Sequence, residues 1–357
     1  MIIYILVAVF LLLGGVGKTA KIIFPIGFFG LFFLTAFRDP VLAGHDYYVY
    51  SNYFSVTPSL LSDMDIKAGY FEAGFNFLNA FVKVFSNEYV VFQVAYSILI
   101  FILMWSVIKK LCLSDEQKCL FLFSFFCFHF IWDTWVILRQ NIADWLFWLL
   151  LICFYRCSAS EKIKKGLFIL GALFIPVLFH STAKLNILLM PMMLLVGRIS
   201  PAKRLIGVPL ISVLLFMFGD QIYDLAHSLV LPYMRVDMAN YGMVNSNFIN
   251  FFVRLGLFIL FAWHYESEKN INKKIILDTF TMMILIGSFN NVATTRLYEY
   301  YAIGLYSSMA LLLNSFNKRS QVFIYFGYGL AMMFILARFV MTFDNGQAFM
   351  NYSLFWG

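Results

Sequence analysis

Leu146-Phe147-Trp148-Leu149-Leu150-Leu151-Ile152-Cys153-Phe154 carries no charged side chain, and Leu305-Tyr306-Ser307-Ser308-Met309-Ala310-Leu311-Leu312-Leu313 repeats the pattern late in the chain. Neither run alternates apolar with polar residues, as the ~10-residue strands of a membrane β-barrel would. Each therefore reads as part of a helix whose backbone groups are satisfied within the segment. Similar runs recur from end to end, each bounded by a few Lys or Arg.

The composition agrees with this reading. Of 357 residues, 62% are hydrophobic and 13% charged, with a mean hydropathy of +0.82 and a net charge of +7. A soluble chain of this length would need roughly 25% charged residues to cover its surface. The pattern is that of an all-α, polytopic transmembrane helical bundle. Taking about 20 residues per span, we place helices near 1–15, 21–37, 88–108, 119–137, 139–156, 166–182, 184–198, 204–219, 248–265, 275–292, 297–314 and 321–341, which makes about twelve. They form one integral membrane domain over 1–357, with long loops at about 38–87 and 220–247. Gly69–Phe85 reads as a half-span or as a short amphipathic helix lying at the interface. The first run, Met1 to Leu13, lacks a basic leader and a small-residue cleavage site, so it is expected to be a retained span. The five cysteines, Cys112, Cys119, Cys127, Cys153 and Cys157, suggest neither a disulfide nor a zinc site.

Lysine and arginine in the loops set the orientation. Lys18 and Lys21, Lys109 to Lys118, Arg156 to Lys165, Arg198 to Arg204, Lys269 to Lys274, and Lys318 with Arg319 fall on alternate turns, which makes these turns cytoplasmic. Both long loops then face outward, as do both chain ends. The basic residues left on the outer side include Arg38, Arg139, Arg235, Arg254, Arg296 and Arg338, whereas the cytoplasmic set is mostly lysine. A planar, permanently charged fork on that face suits a phosphate, and a lipid-linked pyrophosphate fits the location. The plainer reading is that these arginines pair with Asp39, Asp133 or Glu299, or snorkel to headgroups.

Four clusters carry the remaining unusual chemistry. The first loop reads Phe37-Arg38-Asp39, then Gly44-His45-Asp46-Tyr47-Tyr48-Val49-Tyr50, then Gly69-Tyr70-Phe71-Glu72-Ala73-Gly74-Phe75. Aromatic faces such as Tyr47 and Tyr50 stack on pyranose rings, while Asp46 or Glu72 accepts hydroxyl hydrogen bonds or a proton. An interfacial aromatic belt with acidic caps would look the same. The second cluster is Leu138-Arg139-Gln140-Asn141-Ile142-Ala143-Asp144, where Arg139 pairs with Asp133 or Asp144 unless it meets a ligand. The third is His180-Ser181-Thr182-Ala183-Lys184, in which His180 is a candidate base and Lys184 a phosphate contact or a lipid anchor. The fourth, Asn290-Asn291 with Thr294-Thr295-Arg296-Leu297-Tyr298-Glu299-Tyr300, makes the outer turn between two late spans, where Arg296 pairs with Glu299 or Tyr300 unless it meets a ligand; Arg254, separately, is a solitary charge about two turns into the span that starts near Phe248.

In this order the segments resemble the EpsG-like branch of the Wzy polymerases. Phe37-Arg38-Asp39 with Gly44-His45-Asp46-Tyr47 and Tyr50 looks like that family's first outer loop, and Glu72-Ala73-Gly74-Phe75 resembles its acidic E-x-G-aromatic step. Leu138-Arg139-Gln140 is similar to its Leu-Arg-Gln stretch, and His180-Ser181 to its His-Ser pair. The matches lie in the first half of the chain.

The resemblance implies a GT-C-like, inverting, metal-independent glycosyltransferase of the bacterial cytoplasmic membrane, working at the periplasmic or outer face. It would join undecaprenyl-pyrophosphate-linked repeat units into O-antigen, capsule or exopolysaccharide. Arg139, Arg254 and Arg296 would clamp the pyrophosphate, with Arg38, Gln140, Tyr47, Tyr50 and Lys184 as further substrate contacts. His180 or Asp46 would be the base, with Glu72 holding the acceptor. No cofactor is implied, and the partners are the lipid-linked substrate, membrane lipid, a flippase and a chain-length regulator, without nucleic acid. A Gly-rich nucleotide loop and the acidic metal cluster of nucleotide-sugar enzymes are both missing from the sequence. A lipid-linked oligosaccharide flippase and an O-antigen ligase-like transferase are the rival readings.

Overall fold

The apolar runs fold as helices. The computed structural model describes residues 2–43, 45–61, 71–112, 114–230, 248–265, 270–289, 296–312, 316, 318–342, 349 and 352–354. Among them no strand is present, and one isolated antiparallel bridge joins Arg38 to Leu354. The expected features at His45 (its side chain), Gly69-Tyr70, Arg235 and 290–295 lie outside the described residues.

The helices are α1 (Ile2–Gly14), α2 (Ala20–Ala36), α3 (His45–Val56), α4 (Ala73–Val82), α5 (Tyr89–Leu111), α6 (Asp115–Phe125), α7 (Leu138–Arg156), α8 (Lys162–Phe174), α9 (Asn186–Val196), α10 (Pro201–Val230), α11 (Phe248–Trp263), α12 (Ile271–Gly287), α13 (Ile303–Leu312) and α14 (Lys318–Thr342). Tyr89–Leu111, Pro201–Gly219 and Ser320–Thr342 are long and apolar enough to cross a bilayer, and several shorter apolar helices accompany them. These helices keep apolar side chains on both faces. On α14, Phe323, Phe326, Leu330 and Phe334 are exposed while Met332, Leu336 and Val340 are buried. A surface of that kind belongs in hydrocarbon, and the protein is a membrane-embedded helical one.

The chain packs as two compact units, Met1–Ser181 with Phe316–Gly357, and Thr182–Ser315. In the first, the junction between α5 and α6 follows from local chemistry. Lys109 and Lys110 occupy the last turn of α5, Asp115 and Glu116 the first turn of α6, and Ser114 with Gln117 closes a capping box. Both charge placements oppose the helix dipoles favourably. Trp145 packs on Phe121, Phe125 and Trp148 in the interior.

Four elements differ from the hydropathy reading. The segment expected as one helix over 119–137 is α6 followed by π-helical turns at Phe126–Phe130 and Trp132–Val136, a change of hydrogen-bond register that leaves hydropathy untouched. The run over 166–182 is helical only to Phe174, with 3₁₀ turns at Pro176–Leu178 and Ser181–Leu185. Finally, α10 continues to Val230 into the expected loop, and α3 is a helix inside the first loop.

In the second unit α12 and α13 meet where Gly304 has no side chain. A Cβ there would stand 2.7 Å from Phe280 Cα. Gly304→Ala is expected to lower stability by about 1–3 kcal/mol through overpacking, read as a lower thermal midpoint in detergent.

Candidate functional site

Glu72 is the N-cap residue of α4, in extended conformation, yet its side chain does not cap its own helix. Its Oε2 lies 2.5 Å from Arg139 Nη1, and its Oε1 accepts a hydrogen bond from the Ser181 backbone N–H at 2.8 Å. Two residues on, Gly74 lets the first turn of α4 approach the 3₁₀ turn Pro176–Leu178. A Cβ on Gly74 would stand 2.8 Å from the Leu178 carbonyl oxygen and 3.1 Å from Leu178 Cβ. The acidic residue and the glycine thus serve one contact, the carboxylate gripping the segment that the missing side chain admits. Gly74→Ala is expected to lower stability by about 1–3 kcal/mol and to detach Glu72 from Ser181. A thermal melt run beside a chain-elongation assay checks it.

Arg139 reaches this point because the chain breaks just before it. The second π-helical turn ends with Ile137 N–H bonded to the Trp132 carbonyl at 3.1 Å, Ile137 leaves helical geometry, and α7 begins at Leu138. Arg139 therefore sits in a fresh first turn. Its guanidinium lies 4.2 Å over the Phe71 ring, beside Tyr50. Tyr50 in turn packs on Phe71 and Phe75. Pairing of Arg139 with Asp133 or Asp144 is not formed; the carboxylate it uses is 67 positions earlier in the chain. Gln140 and Asn141 are each 1% exposed, and Asn141 donates to the Tyr96 hydroxyl at 2.7 Å.

Arg38 is 1% exposed. It donates to Gln93 Oε1 and, at 3.2 Å, to the Trp135 carbonyl, and lies 5.5 Å from the Trp135 ring centroid. Gln93 completes the arrangement by donating to the Ala36 and Arg38 carbonyls. Burial pulls the Arg38 guanidinium down to about 10, which leaves it charged at neutral pH. The late segment secures the same place. Asp39 N–H bonds the Ser353 carbonyl at 2.9 Å, Tyr352 OH donates to the Leu34 carbonyl at 3.1 Å, and Phe349 and Tyr352 pack on Trp135. Arg38 thus faces the protein interior and holds the carbonyl three residues ahead of α7.

Asp46 and Tyr47 are half-buried in the first turn of α3, with the Tyr47 ring 5.5 Å from Tyr89. His180 is half-buried, its backbone N–H bonded to the Pro176 carbonyl at 3.0 Å. In the first unit, then, the structure gathers Tyr50, Glu72, Arg139 and the backbone beside His180, with Arg38 one step beneath. Sequence reading missed Gln93, although an amide in the apolar run Val90 to Phe101 was the available signal. It also missed Asn76, which accepts from Tyr53 OH at 2.5 Å.

In the second unit Lys184 is exposed and Arg296 half-buried. Arg254, half-buried in α11, lies 4.8 Å over the Tyr298 ring, and no carboxylate among the described residues comes within ion-pair distance of it. Thr182 and Tyr300 share a hydroxyl bond at 3.2 Å, and Tyr301 OH donates to Asn186 Oδ1 at 3.0 Å.

No curated protein and no solved structure matches this chain. The family model that does match covers residues 21–354, nearly the whole chain and all four clusters, and the protein belongs to the EpsG family.

Proposed function

We propose that this protein is a polysaccharide polymerase of the bacterial cytoplasmic membrane, crossing it about twelve times and joining lipid-linked oligosaccharide repeat units at the outer face. One observation carries the reading. Four segments far apart in sequence, around Arg38, Glu72, Arg139 and Ser181, converge through direct contacts in one unit. Family membership supports a role in polysaccharide biosynthesis.

In this reading Arg139 holds the pyrophosphate of undecaprenyl pyrophosphate carrying the growing chain, and Arg254 and Arg296 of the second unit are candidate anion contacts in their own right. A hydroxyl of the acceptor sugar attacks the anomeric carbon from the opposite face. The new C–O bond forms as the bond to pyrophosphate breaks, the hydroxyl proton passes to His180 or Asp46, and undecaprenyl pyrophosphate leaves with its charge balanced by guanidinium. Inversion follows from a single displacement. Glu72, whose two oxygens are already occupied by Arg139 and Ser181, acts as a positioning residue for both segments. Arg254 is suited to an anion because its guanidinium lies over the Tyr298 ring and no carboxylate among the described residues comes within ion-pair distance of it.

The test is to mix the purified protein with lipid-linked repeat units in detergent and resolve the products by size. A ladder of longer products is expected. A protein that carries the same lipids across vesicle membranes and never lengthens them is a flippase instead, and one that transfers a finished chain to a different acceptor is a ligase.

A further inference from the structure

The helix that carries Glu72 has two unlike faces. On one, Phe75, Asn76 and Asn79 are buried, with the Asn76 amide bonded to the Phe71 carbonyl at 2.7 Å and to Tyr53 OH, which fixes how the helix is rotated. On the other, Phe77 and Phe81 stand one turn apart and Phe85, in the turn just past the helix, continues the row; they are 55%, 45% and 71% exposed. Their rings touch in sequence, with centroids 6.3 Å and then 5.4 Å apart. A continuous aromatic stripe of this kind marks an interaction surface.

Length and connection identify what covers it. With ten residues, α4 is about 15 Å long, half the ~30 Å hydrocarbon core, so it cannot cross. Only Ser86-Asn87-Glu88 separate Phe85 from α5, and three residues reach about 10 Å. Because α5 has 23 residues and the composition of a span, about 35 Å of helix, its first turn marks the membrane–water boundary. The end of α4 is tethered to that boundary.

We infer that α4 lies along the membrane–water interface, with Phe77, Phe81 and Phe85 set into the outer acyl region, and that a bilayer surface is the partner of this face. The inference stands apart from the polymerase reading. Only its consequence rests on that reading: lipid holds the helix whose N-cap carboxylate fixes Arg139.

Nitroxide labels on Phe77→Cys, Phe81→Cys and Phe85→Cys test it in vesicles of phosphatidylethanolamine and phosphatidylglycerol, with Ser160→Cys in an exposed loop as the aqueous reference. The unsubstituted protein treated with the same reagent gives the background. Collisions with oxygen are expected to exceed those with a water-soluble nickel chelate severalfold at all three ladder positions, at one common depth, and the order is expected to reverse at Ser160. Dominant chelate collisions would place the face in water, low access to both reagents would mean that protein, including a second copy of the chain, covers it, and a depth change of about 6 Å from Phe77 to Phe81 would mean an inserted helix. Each of these overturns the inference. Quenching of Phe81→Trp fluorescence by lipids brominated near the carbonyl end gives an independent reading should a labelled variant fail to fold.

Discussion

Arg139→Ala is expected to reduce chain elongation by about 10²- to 10³-fold, the usual cost of removing a group that stabilises charge developing in a transition state. Arg139 combines a pair with Glu72, a stacked contact with Phe71 and a place in the first turn of α7. Arg139→Lys keeps the charge and loses the planar fork, so it is expected to restore little. Glu72→Gln separates charge from position. The amide oxygen still accepts from Ser181 N–H, while Arg139 loses its counter-charge and binds an incoming anion more readily. The expected pattern for Glu72→Gln is therefore a lower KM for the lipid-linked donor with a reduced kcat, because Arg139 is no longer aimed. A purely structural pair gives a different pattern, in which all three variants lose thermal stability in parallel and elongate in proportion to the folded protein that remains. Measuring both quantities on each variant decides between them.

The sequence exposed some of this and hid the rest for identifiable reasons. Apolar runs such as Tyr89–Leu111 declare themselves through composition, since a helix in hydrocarbon needs only length and apolarity. The π-helical turns at 126–136 escape that reading because they shift hydrogen bonds by one residue without changing which side chains are apolar. The helix at His45–Val56 escapes it because Asp46, Ser51, Asn52 and four tyrosines dilute any apolar stripe. At the site, the unusual residues were legible one at a time. Their pairing was not, because the nearest carboxylates in sequence, Asp133 and Asp144, were the wrong partners for Arg139. Helical spacing ranks neighbours within one element, whereas the pair with Glu72 depends on how α4 and α7 pack. Arg38 shows the converse case. Its residue type suggested an outward phosphate contact, but burial beside Gln93 and Trp135 turns it into a support for the chain ahead of Arg139.

Asp278→Ala is expected to destabilise the protein by about 3–5 kcal/mol, the range for removing one partner of a buried ion pair. Asp278 is 1% exposed; its Oδ1 lies 2.7 Å from Arg204 Nη1 and its Oδ2 3.0 Å from Lys274 Nζ. The two cations do further work at the end of α9. Arg204 donates to the Gly197 and Ile199 carbonyls at 2.8 Å each, and Lys274 donates to the Gly197 carbonyl at 3.0 Å. Helix ends leave such carbonyls unsatisfied, so one carboxylate fixes the donors that close α9 and joins the starts of α10 and α12. Gly197 makes the approach feasible, because a Cβ there would come within 2.8 Å of Asp278 Oδ2. The two cations differ once the carboxylate is gone. Lys274, 41% exposed, can turn to water, whereas Arg204 at 3% stays buried with its charge unbalanced. The loss is therefore carried mainly by Arg204, and Arg204→Met added to Asp278→Leu is expected to recover most of it, since apolar replacement of a buried pair is often near neutral. Recovery stops short of complete because the Ile199 carbonyl loses its donor. Thermal unfolding of the single and double variants in detergent measures the coupling directly, and an Asp278→Ala midpoint equal to that of the parent protein would show that the buried pair contributes nothing. Elongation by these variants is expected to track folded protein alone, which separates this cluster from Arg139.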